Sequence, residues 1–398
     1  MIVKNAKLCD INTEREADIR IENGLITEIG EGLDGDEIFD AKGCYLLPSL
    51  VDTNIRLLDS QLNAKNIEHV CEDAKNGGVG HIVLSANSTP AIDNEVVLEF
   101  AQHGTTHQKE VAVDFSVSAL KEDATLANIA ILLKRGAVAP LMSTIAKNDV
   151  AIKIAEYVKM YDVTLFCKAE DNSLINAGVM LDGDVSSKLG LAGIPSLSEV
   201  LHVSRMIEIA RHFQIKILFK SIASPRSVRL IQNAKKEGID VSCEVSIHHL
   251  INSDSACEDF NTLAKINPPL ASHEDMHTLQ AMLKNGEIDM LTTLHQPSSP
   301  VNKEVAFFDA AYGSSALGVA LPLYYTKLVK TGLISMQKLL KLTVENSAKS
   351  IAKSAGVIAV GESARLTLFD TEGVTEVDDS SSLYHKAQLS GKVVQNFF

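Results

Sequence analysis

The sequence predicts an α/β protein: a (β/α)8 TIM-like barrel carrying a small β-sandwich domain built from both chain termini. Three observations predict it. Between residues 48 and 355 short apolar runs alternate with longer helical patterns, as in a parallel sheet with crossover helices. Both ends of the chain read instead as short alternating strands. The length, 398 residues, accommodates one large barrel plus a satellite.

In chain order, residues 1–10 (MIVKNAKLCD), 17–30 (ADIRIENGLITEIG) and 37–48 (EIFDAKGCYLLP) alternate apolar and polar positions. They are broken by turn signals at Asn23-Gly24 and Gly35-Asp36. Barrel strands are expected at 81–86, 111–117, 137–142, 163–169, 216–222, 240–246 and 289–295, with helices between them, for example at 148–161, 198–213 and 224–238. The tail returns to strands at 364–370 and 391–398. Each terminal segment has too few strands to close a core alone, so residues 1–47 and 356–398 are expected to share one domain beside the barrel at 48–355. An open doubly wound sheet is the rival. It calls for a Gly-rich phosphate turn after its first strand. The cluster Gly77-Gly78-Val79-Gly80 precedes a strand instead, and reads as a helix end.

Composition narrows the function. Lys and Arg total 37 against 51 Asp and Glu, a net charge of −14, which opposes a nucleic-acid or anionic-membrane partner. No apolar stretch approaches the roughly 20 residues that span a bilayer. The N-terminus turns polar too early for a signal peptide, so the protein is expected in the cytoplasm. The six cysteines are scattered, with no CxxC pair, so neither a zinc ribbon nor a disulfide framework is indicated.

In a parallel barrel, chemistry collects at the C-terminal strand ends. There the sequence resembles the amidohydrolase superfamily, in its dihydroorotase and dihydropyrimidinase branch. LLPSLVDTNIRLLD (46–59) resembles the first barrel strand, which in the family carries a His-x-His pair. SANSTPAID (85–93), RGAVA (135–139), KAEDNSLINAGVM (168–180), KLGLAGIPSLSE (188–199), EVSIHHL (244–250), KINPPL (265–270) and GEIDMLTTLHQPSS (286–299) match further family blocks in order. GVIAVGESARLTLFD (356–370) is similar to the strand pair closing the satellite β-domain.

The resemblance implies a site of one or two metals that generate hydroxide, with an aspartate shuttling the proton. Here those positions are replaced. Asn54 and Arg56 stand for the His-x-His pair, and the bridging carboxylate falls in Pro140-Leu141-Met142-Ser143. Lys168 and Ser221 stand for two further histidines, and Leu294 for the aspartate. Zinc binds imidazole, thiolate or carboxylate, so the expected cofactor is none, with the family zinc site lost. The position of the family arginine that grips the substrate carboxylate is Leu58, and a later recognition histidine is Ser298. Asn87 retains a family asparagine and is a candidate for substrate binding, with a turn residue before Pro90 as the alternative; His295 is a second candidate. His248 and His249 read as a packed pair. Arg56 and Lys168 are expected to pair with Glu170, Asp171 or Asp52, or to bind an anion. Ser221 with His249 or His295, or Cys167 beside Lys168, are the candidates for a rebuilt nucleophilic site.

Within the family, inactive dihydroorotase homologues associate with the catalytic chain of aspartate carbamoyltransferase. The resemblance therefore implies a structural partner of that enzyme in pyrimidine biosynthesis, itself expected to form a homo-oligomer. An active cyclic-amide hydrolase and a dihydropyrimidinase-like scaffold are the alternatives.

Overall fold

The computed structural model describes every residue except 107, 109 and 143–145. Five strands open the chain: β1 (Ile2–Cys9), β2 (Glu14–Glu22), β3 (Leu25–Gly30), β4 (Ile38–Asp40) and β5 (Tyr45–Pro48). Asn23 and Gly24, at φ 51° and 75°, make the two-residue hairpin between β2 and β3, a conformation that Asn-Gly adopts readily. The barrel strands then follow: β6 (Leu50–Ile55), β7 (Val79–Leu84), β8 (Ala112–Ser118), β9 (Ala139–Met142) and β10 (Thr164–Lys168). A two-stranded excursion, β11 (Met180–Leu181) and β12 (Gly193–Ile194), precedes β13 (Lys216–Lys220), β14 (Val241–Ser246) and β15 (Met290–Thr292). The chain ends with β16 (Leu366–Glu376) and β17 (Gln388–Phe397).

Strands β6 to β10 and β13 to β15 form one parallel eight-stranded sheet in the order β15-β14-β13-β10-β9-β8-β7-β6, with helices in the crossovers. The fold is the expected (β/α)8 barrel. The helices follow from local rules. Asn63 accepts a hydrogen bond from Asn66 N–H and caps the helix Ala64–Asn76. That helix buries Ile67, Val70, Cys71 and Ala74, a spacing of three and four residues that lines one face. It stops at Gly77, where a Cβ would lie 1.8 Å from the Leu317 carbonyl oxygen, so the backbone approach itself requires glycine. The glycine cluster is thus a helix end, as its order suggested.

The seam between β6 and β15 is closed largely by a side chain. Asp52 in β6 accepts hydrogen bonds from Thr292 Oγ1, Thr293 N–H and Thr293 Oγ1, each at 2.7 Å. This explains one difference from the sequence reading. The strand expected over 289–295 stops at Thr292, because Asp52 takes the place of ladder partners and Leu294 turns to φ 48°.

Both chain ends join a separate seven-stranded sheet. Its order is β17-β16-β5-β1-β2-β3, with β4 beside β1. Alternation along β5 and β16 serves two cores. Leu46 and Leu368 face a cluster with Val3, Leu8, Ile19 and Phe397, while Leu47 and Phe369 face the barrel-side core. The β5–β16 pairing joins residues about 320 positions apart, in the register Leu366↔Pro48 to Phe369↔Tyr45. We expect truncation after residue 355 to strip hydrogen-exchange protection from β1 to β3 as well. Protection that persisted over residues 1–47 in the truncated chain would show that the N-terminal strands stand alone.

Candidate functional site

The C-terminal strand ends surround a cavity of about 880 Å³, including its open entrance. Asn54 and Arg56 come from β6 and the residues after it, Lys168 and Glu170 from the end of β10, and Lys220 and Ser221 from the end of β13. Leu294 follows β15, and Asn87 stands exposed at the rim. The five replaced positions therefore converge, although they lie up to 240 residues apart. Ser143, at the bridging position, lies outside the described residues; Pro140, Leu141 and Met142 are buried in β9.

At the floor sits a polar network that the sequence reading missed. Lys220 Nζ lies 2.5 Å from Glu244 Oε2 and donates to Thr53 Oγ1 and to the Thr53 carbonyl at 2.8 and 3.0 Å. It also lies 4.6 Å from the centre of the Phe166 ring. Asn54 Nδ2 donates to Ser221 Oγ and to Glu244 Oε1, both at 2.7 Å. Lys220 is 7% and Glu244 1% exposed, so this is a buried ion pair whose remaining valences are filled by neighbours. The signal was present in the sequence. Barrel register places Phe219 beside Cys243, hence Lys220 beside Glu244, two opposite charges at the ends of otherwise apolar strands.

Higher in the mouth, Lys168 pairs with Glu170. Of the partners expected for the two cations, Asp52 is committed to the seam and Asp171 caps the turn at Ser173. Among the described residues, Arg56 finds no carboxylate within ion-pair distance. Its Nη1 donates to the neutral Gln296 Oε1 at 3.1 Å, and its Nε is buried without a partner. Burial lowers the pKa of Arg56, against which nearby Glu170 acts. Burial also lowers Lys168, with Glu170 opposing and Arg56 adding to the shift. Burial pushes Glu199, on the wall, up to about 7.

His295 does not belong to the cavity. It is fully buried on the far side of its loop, where Nδ1 accepts from Ala316 and Leu317 N–H at 3.3 and 3.2 Å. Its Nε2 therefore carries the proton and faces Asp73 at 3.8 Å. The physical reason is the turn at Leu294, whose positive φ sends the next side chain outward into the helix layer. Leu58 and Ser298 also lie outside the cavity wall.

Among the described residues, the candidates for a rebuilt nucleophilic site are not brought together. Ser221 Oγ has, among the described residues, only Asn54 and Glu244 as side-chain partners. His249 is occupied by Ser246 Oγ at 2.7 Å and by the carbonyls of Pro268 and Pro269 at 3.1 Å. His248 bonds Tyr384 Oη at 2.7 Å. Cys167 is buried against His202, and burial pushes its thiol up to about 12, the reverse of activation.

A hydrolytic metal needs three or four imidazole, thiolate or carboxylate donors converging on one point. This donor set does not fit. The replaced positions offer an amide, a guanidinium, an ammonium, a hydroxyl and a leucine. Of the carboxylates at the mouth, Glu170 is paired with Lys168, Glu199 is held by the Ala223 and Ser224 N–H groups, Asp275 stands apart on the wall, and Glu244 beneath is held by Lys220. Among the described residues, no group of three or more His, Cys, Asp or Glu is placed to hold a metal ion.

Comparison with known proteins agrees with this fold. A family described as dihydro-orotase-like matches residues 43–221. The chain is 34% identical to the dihydroorotase of Acetivibrio thermocellus, over 99% of this chain and 96% of that protein. It is likewise 34% identical to the dihydroorotase of Elusimicrobium minutum, over 100% and 94%. Among solved structures, the L-hydantoinase (dihydropyrimidinase) of Arthrobacter aurescens superposes with a TM-score of 0.89 at 22% identity, covering 100% of this chain and 94% of that one. The dihydropyrimidinase of Brevibacillus agri gives 0.85 at 18% identity, covering 100% and 93%.

Proposed function

Because the chain belongs to the dihydroorotase-like family of the amidohydrolase superfamily, we propose that it is a member that has given up metal-dependent hydrolysis and acts as a structural partner of aspartate carbamoyltransferase in pyrimidine biosynthesis. One observation supports the loss of hydrolysis above all others: the converged mouth presents Asn54, Arg56, Lys168, Ser221 and Leu294 where the family needs metal donors and a proton acceptor. Arg56 and Lys168 bring positive charge to a place built for a cation. Leu294 has no atom that takes a proton, and a missing general acid–base alone typically costs about 10²–10⁴-fold in rate. The partner role rests on the resemblance to inactive homologues, and a stable barrel still has an outer surface to offer a partner.

The rival reading is the activity in the relatives' names, dihydroorotase. Elemental analysis and a dihydroorotate assay on protein from the native cell separate the two. We expect no stoichiometric zinc, no turnover, and co-elution with the transcarbamoylase. The double variant Asn54→His, Arg56→His should remain inactive, because the remaining donors and the proton acceptor are still missing. Near one zinc per chain, or hydrolysis by the unmodified protein, would overturn the inactive reading; failure to co-elute would overturn the partner role alone.

A further inference from the structure

We propose that His273 and His277 form a two-donor chelate for a divalent transition-metal ion such as zinc, on the exposed face of the helix His273–Asn285 and apart from the barrel mouth. The two residues lie four apart on that helix, so they stand one turn apart on the same face. Both are exposed. Their Nε2 atoms lie 3.2 Å from each other, and the rings meet edge to face with centres 4.4 Å apart. An imidazole nitrogen binds zinc at about 2.0–2.1 Å. An ion bound equally to two nitrogens at this separation subtends an angle of about 100–105°. That value lies between the right angle of octahedral ligation and the tetrahedral angle. A small rotation of two exposed rings therefore separates the free pair from a chelate.

A second observation fixes which nitrogen is free to ligate. Gln280 Nε2 donates to the Leu250 carbonyl at 2.6 Å, which sets the orientation of its amide. Its Oε1 then accepts from His277 Nδ1–H at 3.2 Å. With the proton on Nδ1, Nε2 of the neutral His277 ring carries the lone pair, and it accepts from His273 Nε2–H. A metal-bound imidazole is held in the same way, through a hydrogen bond from its other ring N–H to a fixed acceptor. On binding, the ion takes the place of the His273 Nε2 proton, and that ring carries its proton on Nδ1 instead, so two neutral rings release no net proton. Imidazole suits zinc, nickel and copper, whereas magnesium and calcium take oxygen ligands. Two protein donors leave the other positions to water, so the ion exchanges with solution. The net charge of −14 draws cations to the surface. The inference holds whether or not the chain hydrolyses anything.

The test uses the full chain, stripped by a chelator that is then removed, and isothermal titration with zinc, nickel and magnesium chlorides. Zinc and nickel should bind and magnesium should not. His273→Ala and His277→Ala, both at exposed positions, should each weaken zinc by at least the about 10–100-fold that losing an outer-shell partner costs. Gln280→Ala keeps both imidazoles and should weaken zinc about 10–100-fold, with His277 returning to mixed tautomers in its ring nitrogen-15 spectrum. His103→Ala, at an exposed histidine of the helix Glu95–Gly104, should change nothing. Zinc still carried by the double variant His273→Ala, His277→Ala would sit elsewhere, so this site and a metal in the barrel mouth are told apart. The proposal is overturned if zinc fails to bind at millimolar concentration, if magnesium binds as well as zinc, or if zinc affinity survives either histidine substitution. Unchanged affinity and tautomer in Gln280→Ala would overturn the part given to Gln280.

Discussion

Acidification from about pH 7 to about pH 5 should lower the protein's stability by several kcal/mol. Four histidines are buried as neutral rings, and desolvation is the first cause in each case. It lowers His248 and His295 to about 3, and His249 and His202 to about 4. In the unfolded chain each titrates near 6.5, so below that value the unfolded state binds protons that the folded state refuses. Stability is therefore present above about pH 6.5 and is lost as the pH falls toward the folded values. At about pH 5 each ring costs about 2 kcal/mol, and the four together are comparable with the whole stability of an ordinary domain. Some carboxyls act oppositely. Burial raises Glu199 to about 7 and Asp73 to about 6, and raises Asp52, Asp254 and Asp275, so these favour the folded state as the pH falls. Against burial, hydrogen bonds and cations lower Asp10, Asp59, Asp114 and Asp379, which side with the histidines. Urea unfolding across this range checks the sign, and His248→Gln should flatten the slope. Stability that holds or rises between about pH 6.5 and 5 would show that these rings are protonated in place.

Lys220→Met should be the most damaging single substitution at the barrel floor, at about 3–5 kcal/mol. The methionine matches the volume, so the loss is electrostatic: Glu244, 1% exposed, would keep its charge without its cation. Glu244→Gln should also be costly, since it strands the ammonium. The double variant Lys220→Met, Glu244→Gln should recover much of the sum, because neither residual charge remains. Chemical unfolding of the three proteins gives the coupling directly. Additive losses would mean that the two groups do not depend on each other.

The fold was legible because its pattern is periodic. The helix expected at 148–161 is Asn148–Tyr161, since its apolar positions recur at helical spacing and the chain turns left-handed at Asp162. The helix end at the glycine cluster, the Asn23-Gly24 hairpin and the union of the two chain ends follow from equally local signals. The converging positions were legible through the family blocks that carry them. What pattern alone did not give was side-chain direction beyond a strand end. His295 follows Leu294 directly, yet a positive φ turns it out of the mouth. Lys220 precedes Ser221 by one residue, and it rather than Ser221 supplies the charge at the floor. Such directions depend on turns and on partners far along the chain. Asp52 meeting Thr292 and Thr293, 240 and 241 residues later, is one such case.

The β5–β16 pairing also sets a timetable for synthesis. At about 5–20 residues per second, a ribosome needs roughly 15–60 s between making Tyr45 and making Phe369. Throughout that interval the apolar faces of β1 and β5 have no finished sheet to join, and the barrel seam is open until Thr293 emerges. The nascent chain thus carries sticky, unpaired strand edges for most of its birth. Yield in a foreign host should respond to slower growth temperature and added chaperones more than to any change in the finished protein's stability.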